Sequence, residues 1–154
     1  MKSLFLPLTL SLLLSAPSLS LAATAAQKRE LNLREISEKD LDGLARKLAA
    51  ALASCTHGSP DDLVVVTVTN QTDEFIDKTK VAETIRDVLK PKKSVPEIAP
   101  FYEVRAKLTA VKSETKQKKK RFYKGVYTLA ADMVQDDKKV CEKAETLEKS
   151  GAID

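Results

Sequence analysis

Residues 102–110 alternate without a break. Tyr102, Val104, Ala106, Leu108 and Ala110 fall on one side of an extended chain, and Glu103, Arg105, Lys107 and Thr109 on the other. Successive side chains of a strand point to opposite faces, so a period of two describes a sheet with one buried and one wet face. Such a sheet needs helices over one face only, which restricts the chain to two layers. The rest of the sequence has to supply that cover and the neighbouring strands.

Two helices are available. Ser37 reads as an N-cap, with Asp40 three residues on closing a capping box. Leu41, Leu44, Leu48 and Leu52 then recur every three or four residues, filled out by Ala45, Ala49 and Ala51, while Lys39, Asp42, Arg46 and Lys47 take the other face. Gly58 and Pro60 end this segment. The second helix starts at Asp77 or Thr79 and runs to about Lys90, with Val81, Ile85, Val88 and Leu89 inward and Pro91 as its stop.

Residues 63–68 form a β-branched apolar run, too short for a helix and suited to a buried strand. Residues 122–134 read as a further strand with Tyr127, Leu129, Ala131 and Met133 on one side. Residues 139–147 read as a last strand with no clean apolar parity, so the direction of Cys141 stays open. The basic stretch 116–121 and the 135–138 segment are read as connections, residues 91–100 as a Pro-containing linker, and the chain from Ser150 as a tail. The expected fold is therefore α+β and two-layer: one mixed four-stranded sheet with two helices packed on one face, in the order α-β-α-β-β-β.

The N-terminus points to export. Met1 and Lys2 are followed by an apolar stretch over residues 4–14, then Pro17 and a series of small residues. That is the layout of a cleavable signal peptide, and the apolar stretch is shorter than the roughly 20 residues that span a bilayer. Residues 1–22 are expected to be removed, with cleavage as late as residue 25. Residues 23–36 then form a flexible leader and 37–154 a single domain. No Cys begins the mature chain, so neither a lipid nor another stable membrane anchor is expected, and the protein is placed in the periplasm or outside the cell.

In that compartment Cys55 and Cys141 read first as a disulfide. The alternatives are two free thiols, or a small enzyme using Cys55 with the nearby His57, the only histidine. Otherwise the sequence offers no chemistry. It has no metal-ligand spacing, no nucleophile motif and no phosphate-binding glycine loop, so no enzyme, metal or cofactor is expected. A net charge of +4 without Trp argues against a dedicated nucleic-acid binder. Lys116, Lys118, Lys119, Lys120 and Arg121 form a basic run that reads as a solvated tip, or as a contact for a phosphate-rich polymer or an acidic protein face. Residues 70–72 match a glycosylation sequon.

Residues 70–77, Asn-Gln-Thr-Asp-Glu-Phe-Ile-Asp, follow a Val/Thr strand and precede an Ile/Leu helix. This resembles the N-x-T-x-E-x-I-D turn of LpoB-type activators of penicillin-binding proteins, a family with the CsgG/TolB N-terminal-like fold. Residues 102–108 and 122–129 resemble that family's extended strands, and the likeness spans residues 41–151. The chain departs from the family in three ways. It lacks the lipidation Cys, it lacks the glycine of one strand, and residues 91–100 replace a strand and helix, so the expected fold is a trimmed version. The resemblance implies a non-catalytic periplasmic regulator that docks on a protein partner in the envelope, a bifunctional penicillin-binding protein in that family. Partner-contact candidates are Arg105 and Lys107 on the wet strand face and Lys118, Lys119 and Lys120 at the basic tip. The alternatives are a secreted effector or adaptor acting through a basic surface, and a component of another envelope assembly.

Overall fold

The computed structural model describes Gln27, Glu30 and residues 33–56, 63–90 and 101–153. The expected signal peptide, His57 and the expected 91–100 linker lie outside the described residues. The element order is α1 (Glu38–Ala53), β1 (Leu63–Asn70), α2 (Lys78–Leu89), β2 (Phe101–Gln117), β3 (Lys120–Gln135) and β4 (Lys138–Ile153). The strands form one sheet in the order β1-β2-β3-β4. β1 runs parallel to β2, and the other two pairs are antiparallel. A parallel pair requires a crossover, which α2 provides.

Helix α1 begins where its capping signal stands. The Ser37 hydroxyl accepts from the Asp40 amide at 3.1 Å, and the Asp40 carboxylate accepts from the Ser37 amide at 3.2 Å. Leu41, Leu44, Ala45, Leu48, Ala49 and Leu52 are buried along one stripe. Asp77 caps α2 by accepting from the Lys80 amide at 3.0 Å. The buried stripe of α2 is Val81, Thr84 and Ile85, while Val88 is exposed. Thr84 is buried because its hydroxyl donates to Asp42 of α1 at 3.0 Å, which satisfies a polar group between the helices. Both helices cover the sheet face built from Val66, Val104, Leu108, Leu129 and Met133.

The strands run further than the sequence pattern implies. The 116–121 connection is mostly strand: β2 continues to Gln117, β3 starts at Lys120, and only Lys118 and Lys119 turn, Lys118 with φ 55°. The expected tail from Ser150 belongs to β4, which pairs with β3 as far as Ile153 against Arg121. At the other end Asp136 and Asp137 turn the β3–β4 hairpin with φ 49° and 60°, the left-handed pair of a tight hairpin. A register shift beside Met133 and Val134 sets Met133 opposite Cys141, so Cys141 faces the helices. There it is joined to Cys55 just past the end of α1, with the two Cα atoms 6.0 Å apart. The bond removes the free-thiol readings, including Cys55 as a nucleophile.

The fold takes in residues before Ser37. Gly125 and Gly151 lie on adjacent strands of the helix-facing side. A Cβ on Gly125 would stand 2.6 Å from the Tyr123 hydroxyl, and one on Gly151 would stand 2.8 Å from a Leu33 methyl. The missing side chains let Tyr123 and Leu33 lie close over the strands. Tyr123 thereby donates to the Arg34 carbonyl at 2.9 Å.

Candidate docking site

The 70–77 turn leaves the end of β1 beside β2, where the Gln71 amide donates to the Leu108 carbonyl at 2.9 Å. The side chains of Asn70, Thr72 and Glu74 are engaged within the protein. Asn70 Oδ1 accepts from the Thr72 amide and hydroxyl at 2.9 and 2.8 Å, and Asn70 Nδ2 donates to the Glu74 carbonyl at 2.7 Å. Thr72 Oγ1 accepts from the Glu74 amide at 3.2 Å. An Asn and a Thr thus fold the backbone back on itself, as these residues do in tight turns. The sequon asparagine is one of them, so its amide serves the turn.

Glu74 anchors the turn to the rest of the molecule. Its side chain is only 9% exposed. It accepts from the Ile36 amide at 2.7 Å, from Lys112 Nζ at 2.7 Å and from the Tyr127 hydroxyl at 2.6 Å. The Tyr127 oxygen also lies 2.8 Å from the Arg34 carbonyl. One O–H cannot donate to both, and the charged acceptor makes the stronger bond. Burial first, and then the bond to Glu74, push the Tyr127 ionisation above its ordinary value, so the hydroxyl remains a donor. Burial pulls Lys112 down, but the hydrogen bonds to Asp73 and Glu74 outweigh it and hold the ammonium above its usual range.

What this rigid turn presents is Phe75. Its neighbour Ile76 is buried, while Phe75 is 99% exposed. Two recesses meet at its ring. The smaller, of about 90 Å³, lies between the helices and is floored by Ile36, Leu41, Ile76 and Val81, with Glu38, Asp42 and Asp77 against Lys80 at its edge. The larger, of about 530 Å³, lies toward the hairpin, where Glu35, Asp73, Glu74 and Glu114 stand against Arg34 and Lys112. This end of a net-basic chain is acidic. Phe75 is the residue that sequence reasoning passed over; the available signal was an aromatic side chain set between Glu74 and Ile76 in a turn with no strand or helix period to bury it.

The candidates named from sequence lie elsewhere. Arg105 and Lys107 share the uncovered sheet face, and Arg105 is paired with Glu103 at 2.7 Å. The shallow trough around them also holds Asp132 and Glu142, so its charge is mixed. Lys118, Lys119 and Lys120 are exposed at the hairpin tip and make no ion pair among the described residues. The tip begins at Lys118, beyond the end of β2 at Gln117 and about 36 Å from Lys107 at the rise of an extended strand, so the structure does not gather these five cations into one site. Among the described residues no cluster of three or more His, Cys, Asp and Glu side chains could hold a metal ion, and no helix is long and apolar enough to cross a membrane.

No family model matches this chain, and no curated protein does. Among solved structures, the LpoB C-terminal domain from Salmonella enterica aligns with a TM-score of 0.47 at 10% sequence identity, over 70% of this chain and 98% of that one.

Proposed function

We propose that this protein is a non-catalytic regulator that docks on a protein partner in the cell envelope, the partner being a bifunctional penicillin-binding protein. The observation that carries this reading is the state of the 70–77 turn. Asn70, Thr72 and Glu74 are bonded internally, so the segment displays a fixed shape instead of reactive groups. A fixed, exposed shape is what a recognition element requires, because little ordering entropy is lost on binding. The likeness of the same eight residues to the turn of LpoB-type activators supplies the partner class. The disulfide fits an oxidising compartment, as does the reading of residues 1–22 as a signal peptide.

Regulation then proceeds by population shift. The protein binds the active conformation of the synthase more tightly than the idle one and raises its share of the population. Lys107 and the tip cations Lys118, Lys119 and Lys120 contribute long-range attraction to the anionic envelope polymer or to an acidic face of the partner. The second reading, a secreted effector, is favoured by those same tip cations, which lack partners among the described residues.

In-cell crosslinking of a tagged full-length chain, followed by identification of the captured proteins, separates the two. Recovery of a penicillin-binding protein from the envelope supports the regulator. Recovery of another envelope complex without a synthase overturns the partner class, and protein found only in the medium overturns the regulator.

A further inference from the structure

The regulator reading leaves open which surface the partner meets, and the following rests on that reading. We propose that Phe75 is the anchor of the interface, and that it enters an apolar pocket rimmed by lysine and arginine on the partner protein. Two observations converge on it. Phe75 is 99% exposed, the most solvent-exposed of the large apolar side chains among the described residues. Its backbone is also fixed: the residues on either side are held by the Glu74 bonds and by the burial of Ile76. Exposed aromatics on rigid supports are the side chains that dominate binding energy at interfaces.

The charge around the ring selects the partner's chemistry. Carboxylates outnumber cations seven to three among the residues lining the two recesses beside Phe75, on a chain whose net charge is +4. A basic rim on the partner complements that surface, and an acidic one is repelled. The small recess floored by Ile36, Leu41, Ile76 and Val81 accepts an apolar side chain in return. The same acidity disfavours insertion of Phe75 into an anionic lipid surface, which attracts basic segments. The basic tip is a poor match for a basic partner and begins about 20 Å beyond Lys112 along β2, so it falls outside this interface.

The test is photo-crosslinking in cells that express the full chain with benzoylphenylalanine at position 75, at position 118 or, as a control on the open sheet face, at position 65. The proposal predicts a discrete protein adduct from position 75 and none from position 65. The crosslinked partner peptide should map to an apolar pocket flanked by Lys and Arg, and the adduct should disappear in E35K/E38K. With the captured partner purified, F75A should weaken binding tenfold or more and F75W should retain it, both with unchanged circular dichroism. An adduct at position 118 or 65 with none at 75 overturns the anchor and leaves the regulator standing. An adduct of two copies of this chain, an adduct to its own leader or an adduct to lipid from position 75 overturns the partner chemistry. No protein adduct at any position overturns the anchor and the regulator together.

Discussion

Glu74 holds one carboxylate against three elements of the molecule, and its worth is measurable through Tyr127. Removing the hydroxyl in Tyr127→Phe leaves Glu74 with the Ile36 amide and Lys112, and deletes one bond to a buried charge. Bonds to charged groups contribute about 1.5–3 kcal/mol, so urea unfolding of Y127F should show a loss of that size, and a loss below about 0.5 kcal/mol would contradict the account. Asp40 makes a second prediction. Burial raises its pKa, but the hydrogen bonds with Ser37 and Lys149 outweigh it and hold the carboxyl below its usual value. A lowered folded pKa contributes stability above the unfolded value of about 3.9, and that stability is lost as pH falls through the folded value. The wild type should therefore lose more of its urea midpoint between pH 5 and pH 3 than D40N does. At this scale the cap at Ser37 was legible, and Asp77 was one of two starts the sequence offered, since a cap is a local event. The Glu74–Tyr127 bond was not, because it joins residues 53 apart and nothing in either neighbourhood announces it.

The elements show the same division. The α1 stripe and the alternation in β2 were plain because one face of each meets the core. The far part of β2 was hidden for the converse reason: beyond residue 110 both sides of it are exposed, so no alternation marks the strand. In β4 the residues facing the helices include Lys143, Glu145 and Lys149, and Lys149 reaches the Glu35 carbonyl at 2.7 Å and Asp40 at 3.0 Å. Charged heads tied in this way sit on a half-buried face and erase the apolar parity. The disulfide fastens this edge strand to the end of α1 across a sequence separation of 86 residues. In the chain-entropy view a loop of that length stabilises by about 4–5 kcal/mol, with about 2 kcal/mol at the low end of what native bonds contribute. Reductant should thus lower the unfolding free energy by at least about 2 kcal/mol, read from urea curves with and without it. Curves that coincide would mean that the sheet holds β4 unaided.

Charge changes along β2 at the scale of the whole molecule. The 70–77 turn sets an acidic, aromatic surface beside Leu108 and Lys112, and a basic tip closes the β2–β3 hairpin further along the same strand. The fold class was readable from pattern alone, since the order of elements and the single wet face leave few packings. The site was not, because a docking surface is defined by what remains exposed after folding, and exposure of one phenylalanine follows from the burial of its neighbours. The central claim is that this surface serves a synthase. Its most direct measurement is the glycan-polymerisation rate of a purified bifunctional penicillin-binding protein titrated with the disulfide-bonded protein. The account predicts a rate that rises and saturates with added protein. A rate that stays flat, with no binding to the synthase at the highest concentration, would contradict it.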